Sequence, residues 1–185
     1  MTNNIFIFHG AGGNPTENWF AWLQNELTAL GHQVLIPAFP TPENQSLQSW
    51  LKVMQPYASQ ITADTVLVGH SLGATLALIL LEQYSVRAAY LVAGFMEPLD
   101  NPQFDLLNKT FITHDFQWTE IKKNCKKFEL FQSSNDPYVP MQVAQHLAEK
   151  LNTNLTVVSE AGHFNSAAGY RTFQLLLEHI KSEIK

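Results

Sequence analysis

Thr65-Val66-Leu67-Val68-Gly69-His70-Ser71-Leu72-Gly73-Ala74-Thr75-Leu76-Ala77-Leu78-Ile79 is the stretch whose reading decides the fold. Its first four residues are apolar or β-branched and read as a strand buried on both faces. Its last six are apolar apart from Thr75, and the small residues among them suit a helix packed closely on a sheet. Between them lies Gly69-His70-Ser71-Leu72-Gly73, a G-x-S-x-G pattern. A serine on a sharp strand-to-helix turn needs neighbours two residues away that lack side chains, and glycine supplies that space on both sides. Ser71 would then stand at a helix start, where unpaired amides favour a developing negative charge, and the Leu72 N–H is the expected donor. Ser71 is therefore the candidate nucleophile.

Outward from this stretch the same alternation continues. Upstream, Ile5 to Phe8 reads as a strand closed by His9-Gly10-Ala11-Gly12-Gly13. Trp19, Phe20, Leu23, Leu27 and Leu30 recur at helical spacing and stop at Gly31. Val34 to Ile36 reads as strand and about Ser46 to Ser59 as helix. Downstream, the helix from Leu72 extends to Tyr84. Ala88 to Ala93, Phe128 to Gln132 and Leu155 to Val158 read as strands, with helices at Gln142 to Leu151 and Tyr170 to Ile184. Strands alternating with helices predict an α/β protein: a doubly wound sheet of about six mostly parallel strands, with helices on both faces. The chain reads as a single domain, 1–185, whose one irregular stretch, 96–126, is expected to form a small cap.

Composition narrows the function classes. With 185 residues, 45% of them hydrophobic and 15% charged, the chain can bury one core without staples. The single Cys125 cannot build an internal disulfide framework. A net charge of -5 argues against a nucleic-acid partner, which calls for a basic field. Lys122, Lys123, Lys126 and Lys127 cluster at a spacing that fits a solvated helix end or turn. Val66 to Leu81 is interrupted by His70 and Ser71 and falls short of the ~18 apolar residues of a membrane span. The first residues carry no basic side chain and no long apolar run, which predicts a cytoplasmic protein without an export signal.

A serine hydroxyl needs a base within hydrogen-bond reach and a group that orients that base. Of the seven histidines, His163 lies in Glu160-Ala161-Gly162-His163-Phe164-Asn165, a turn after the last strand, at the sheet edge where open α/β sheets place their chemistry. Asp136, in Ser133-Ser134-Asn135-Asp136-Pro137, follows the fifth strand, and Pro137 biases it towards an extended backbone. A plain Asn-Asp-Pro turn is the alternative reading. The chain order Ser71, Asp136, His163 is the order expected when an elbow serine is used on this kind of sheet.

Gly10-Ala11-Gly12-Gly13-Asn14-Pro15 resembles a nucleotide-binding loop only superficially. Pro15 stands where the third glycine would be, and no Lys-Ser/Thr follows. The loop is better read as bringing the Ala11 amide to an oxyanion, or else as a tight turn. Trp19, Phe20, Phe95, Met96, Phe104, Phe111, Trp118, Tyr138 and Phe164 are candidate pocket walls, with Trp19, Phe20, Phe95, Trp118 and Phe164 preferred. Aromatics at such positions are more often core.

These motifs together resemble the small serine hydrolases of the α/β-hydrolase superfamily similar to retinoblastoma-binding protein 9. The resemblance runs over nearly the whole chain, through His9-Gly10, Asn18-Trp19-Phe20-Ala21-Trp22-Leu23, the Gly69 to Gly73 motif, Asn135-Asp136-Pro137-Tyr138-Val139-Pro140 and Gly162-His163-Phe164-Asn165. It implies a compact α/β-hydrolase fold without a large lid, a Ser71-Asp136-His163 triad, and neither metal nor cofactor. The expected reaction is hydrolysis of a small apolar carboxylic ester through an acyl-serine. A thioesterase or amidase, a peroxidase-like or lyase use of the triad, and a noncatalytic protein-binding member of the fold stay open as alternatives.

Overall fold

Alternate residues of the first apolar run face opposite ways: Phe6 and Phe8 join one core cluster, Ile5 and Ile7 the other. That is the period-two signature of a strand covered on both faces, and it sets the architecture. The computed structural model describes residues 2–184. Its strands are β1 (Asn4–Phe8), β2 (Gln33–Leu35), β3 (Val66–His70), β4 (Val86–Val92), β5 (Cys125–Ser133) and β6 (Leu155–Val158). They form one six-stranded sheet in the order β2-β1-β3-β4-β5-β6. Every neighbouring pair is parallel.

The helices are α1 (Phe20–Ala29), α2 (Leu47–Met54), α3 (Leu72–Leu80), α4 (Pro102–Leu107), α5 (Lys109–Ile112), α6 (Trp118–Asn124), α7 (Met141–Leu151) and α8 (Gln174–Glu183). Leu23 and Leu27 of α1 and Leu176, Leu177 and Ile180 of α8 cover the Ile5 and Ile7 face. Trp50 of α2, most of α3, and Val143, Leu147 and Leu151 of α7 cover the Phe6 and Phe8 face. The doubly wound α/β sheet expected from the alternation is the fold of the chain.

Boundaries differ from the sequence reading where local chemistry intervenes. The helix expected to run to Ser59 leaves α-geometry after Met54 and continues as a 3-10 turn over Gln55–Gln60. Pro56 lacks the amide an α-turn would use. The last helix starts at Gln174 rather than Tyr170, because a 3-10 turn at Ser166–Ala168 and a left-handed Gly169 precede it. β5 starts at Cys125, three residues earlier than expected. The lysine cluster is accordingly split: Lys122 and Lys123 end α6, while Lys126 and Lys127 lie in β5. Lys127 pairs with Glu129 at 2.6 Å and with Glu183 at 3.6 Å. Arg87 meets Asp64 at 3.1 Å and Glu183 at 3.8 Å, so ion pairs run along the amino-terminal edge of the sheet.

Residues 96–126 are ordered as three short helices rather than an irregular loop. Asn101 caps α4 by accepting a hydrogen bond from the Phe104 amide at 3.2 Å. Phe111 of α5 and Ile121 of α6 are fully buried in the core and tie the segment down. On the strand order, β2 and β3 lie on opposite sides of β1, so the chain changes direction between β1 and β3. The crevice at the carboxyl ends of those two strands is where such sheets bind ligands.

Candidate active site

Ser71 occupies the single residue between the end of β3 and the start of α3. Its backbone has φ 55° and ψ -123°, a left-handed conformation that costs a non-glycine residue on the order of 1–3 kcal/mol. The conformation is held from both sides: the Ser71 N–H donates to Val92 O and the Ala74 N–H to Ser71 O, each at 2.9 Å. The flanking glycines are sterically required. A Cβ at Gly69 would lie 2.5 Å from the Ala74 nitrogen, and one at Gly73 would lie 2.2 Å from the Phe8 carbonyl oxygen. Helix α3 therefore passes close enough to β1 and β3 to aim the Ser71 side chain out of the turn.

Asp136 and His163, twenty-seven residues apart, meet in a nearly dry corner. The His163 Nδ1–H donates to Asp136 Oδ2 at 2.9 Å, with Oδ1 at 3.1 Å. Oδ1 also accepts from the amides of Tyr138 at 2.9 Å and Val139 at 3.1 Å. The Asp136 side chain is 1% exposed and that of His163 11%. A carboxylate so buried is tolerable because amides and an imidazole satisfy it, and it fixes the His163 tautomer so that Nε2 is the basic nitrogen. His163 and Ser71 line the same pocket.

The loop that carries His163 is fastened by residues the sequence reading had passed over. Ser133 Oγ accepts from the Ala161 amide at 2.9 Å, Ser134 Oγ from Glu160 at 3.0 Å, and Asn135 Oδ1 from Gly162 at 2.8 Å. The signal was present as Ser133-Ser134-Asn135, three short polar side chains suited to bonding nearby backbone. Beneath the loop, the His70 Nε2–H donates to the His163 carbonyl at 2.8 Å and the Trp19 indole N–H to the Phe164 carbonyl at 3.0 Å. Burial, reinforced by the neighbouring His163, pushes His70 down to about 3, so it is neutral and acts as a fixed donor.

A second buried histidine sets the first glycine loop. The Phe39 amide donates to His9 Nε2 at 3.0 Å, so Nδ1 carries the proton and donates to the Gly10 carbonyl at 2.9 Å. Burial holds the His9 pKa below its ordinary value, with the Gly10 carbonyl opposing. A Cβ at Gly10 would lie 2.9 Å from Ser71 Cβ, which shows how closely this loop approaches the serine. The Gly12 amide donates to Thr41 Oγ1 at 2.6 Å and that of Gly13 to Gly10 O at 3.2 Å. The Ala11 amide has neither of these acceptors, and Ala11 lines the pocket. Leu72 is the first residue of α3, so its amide has no acceptor within the helix.

The pocket holds about 340 Å³. Its aromatic walls are Phe104 of α4 and Tyr138, not the five aromatics preferred from sequence. Trp19, Phe20, Phe95 and Phe164 are buried in the core. Trp118, at the start of α6, stacks on Phe116 at 5.2 Å and is not among the residues lining the pocket. Proximity in sequence to the active edge did not fix the face on which each ring lies. Met96 and Phe111 are likewise buried. Glu17 and Asn18 also line the pocket, and the sequence reading had assigned Glu17 no role.

Residues 5–182 match the family model described as serine hydrolase. The chain is 30% identical to YdeN of Bacillus subtilis over 98% of its own length and 96% of that protein's. It is 28% identical to the serine hydrolase RBBP9 of Rattus norvegicus, over 94% of this chain and 90% of that one. The crystal structure of the B. subtilis ydeN gene product superposes with a TM-score of 0.90 over 98% of both chains. A strained serine at a strand-to-helix turn, a matching fold and a family match over almost every residue agree, and the chain belongs to the serine hydrolase family.

Proposed function

We propose that this enzyme hydrolyses small carboxylic esters through an acyl-Ser71 intermediate, with His163 as general base and Asp136 as the group that orients it. The observation that carries the reading is the shared pocket of Ser71 and the Asp136-paired His163, entered by the backbone of the first glycine loop. His163 Nε2 takes the Ser71 hydroxyl proton as Oγ attacks the ester carbonyl. Amides of Ala11 and Leu72 receive the charge on the carbonyl oxygen, and collapse expels the alcohol, which takes the proton back from His163. Water, deprotonated by His163, then attacks the acyl-serine, and the acid leaves as Ser71 Oγ takes that proton back from His163. In this mechanism the Ser71–His163 hydrogen bond forms as substrate binds.

The volume of about 340 Å³ favours a small acyl or alcohol group, and Phe104 and Tyr138 supply apolar contact. Because Phe104 comes from α4, we assign residues 96–126 as a small cap over the pocket. The test is labelling with a fluorophosphonate probe followed by mass spectrometry, with an ester, thioester and peptide panel for turnover. An adduct on Ser71, and a loss of several orders of magnitude in kcat in Ser71→Ala with its fold intact, are the expected results. Full activity in Ser71→Ala, or no adduct on folded protein, would refute the assignment.

A further inference from the structure

One charged side chain in the pocket has no part in the chemistry proposed above. Glu17 lines the same cavity as Ser71 and His163. Its carboxylate lies over the first glycine loop, so close that a Cβ at Gly13 would come within 2.3 Å of Oε1. The absence of a side chain at Gly13 leaves room for the acid at this position.

The neighbours of Glu17 leave its charge unbalanced. No lysine or arginine lines the pocket. Among the described residues, Glu17 takes part in no ion pair, whereas Asp64, Glu120, Glu129 and Glu183 each pair with a lysine or arginine. His70 is neutral and its Nε2 is committed to the His163 carbonyl. His163 is committed to Asp136. Asn18 Oδ1 accepts from the Ser166 amide at 2.8 Å, so this neighbour's oxygen is also in use. Burial raises the Glu17 pKa, with the Asn14 backbone opposing. An acid in that situation is stabilised by any cation that enters.

Phe104 and Tyr138 line the same pocket and stack at 5.9 Å with their planes 18° apart, and Tyr138 also packs edge-on with the His163 ring at 5.0 Å. A carboxylate and an aromatic pair in one cavity are the chemistry that recognises an alkylammonium: charge from the first, apolar contact and cation–π attraction from the second. The net charge of -5 adds a long-range field of the right sign. We propose that Glu17 makes the pocket selective for esters that carry an ammonium group within reach of the scissile bond, a reading that rests on the ester hydrolase proposed above. The ammonium can enter on the acyl side, as in an amino-acid ester, or on the alcohol side, as in a choline ester.

Matched substrates separate the two sources. Leucine para-nitrophenyl ester is compared with the isocaproic ester of the same skeleton, and butyrylthiocholine with its uncharged neohexyl analogue. In the wild-type protein, kcat/KM for the charged member of one pair should exceed that of its neutral partner by about tenfold or more. E17Q should reduce that ratio to near unity. A ratio within one preparation does not depend on how much of the variant folds. In parallel, calorimetry on Ser71→Ala protein measures leucinamide and choline against their uncharged isosteres. Tighter binding of one ammonium ligand, lost in the double variant S71A/E17Q, is the expected result. Equal kcat/KM within both pairs, or a ratio unchanged in E17Q, would overturn the Glu17 assignment and leave the ester reading standing. Ammonium binding without turnover of any ester would overturn the ester reading and leave the Glu17 assignment standing. Neither binding preference nor turnover would overturn both.

Discussion

At Ser71 the chemistry requires a backbone that folding disfavours. Its φ of 55° is maintained by two backbone hydrogen bonds and by the absence of side chains at Gly69 and Gly73. Glycine tolerates that conformation, so Ser71→Gly should abolish turnover yet raise the free energy of unfolding by about 1 kcal/mol, read from urea melts. Unchanged or lower stability in that variant would show that the turn carries no strain. The pentapeptide was readable in sequence because a strand pattern precedes it and an apolar helix pattern follows it, although the clash that excludes a side chain at Gly73 comes from Phe8 of β1. The aromatic walls were not readable in this way. Trp19 lies beside the active edge and still points behind the His163 loop, because its ring direction depends on which face of the sheet α1 covers.

Two loops that are distant in sequence form one unit, the turn after β5 and the turn after β6. Asn135 bridges them by accepting from the Gly162 amide, while Ser133 Oγ donates to Asn135 Oδ1 at 2.8 Å. Removing that acceptor leaves the Gly162 amide unpaired and loosens the backbone that positions the imidazole. Asn135→Ala should therefore cost about 1–2 kcal/mol of stability and lower kcat by about tenfold or more, with KM changed much less. Steady-state kinetics alongside denaturant melts check this; a change confined to KM would assign Asn135 to substrate contact instead. The larger elements were legible because their apolar periods extend over several turns. The 96–126 segment was not, since α4, α5 and α6 span only 6, 4 and 7 residues, too short for a helical period to emerge.

Over the whole molecule, the site imposes an acid limit on stability. His70 and His9 are both held neutral in the folded chain, His70 with a pKa of about 3 and His9 below its ordinary value. In the unfolded chain each takes up a proton near pH 6.5. Their contribution is thus complete above that pH and is lost as the pH falls from about 6.5 towards 3, because the unfolded state binds more protons in that window. Each histidine should steepen the decline by up to about 1.4 kcal/mol per pH unit. Urea melts between neutral pH and pH 4 should show this slope, and His70→Gln should reduce it by about one proton's worth. An identical slope in that variant would place the acid sensitivity elsewhere. The parallel sheet was inferable from alternation, whereas the strand order was not, and neither was the pairing of a buried histidine with a carbonyl ninety-three residues away.

The ion pairs along the amino-terminal edge have a practical consequence. Glu183, at the end of α8, is tied there to Arg87 and Lys127, and β1 starts at Asn4 on the same edge. Both ends of the described chain thus lie at the pole opposite Ser71. A bead, electrode or fusion partner coupled at either one would leave the mouth of the pocket turned towards bulk solvent.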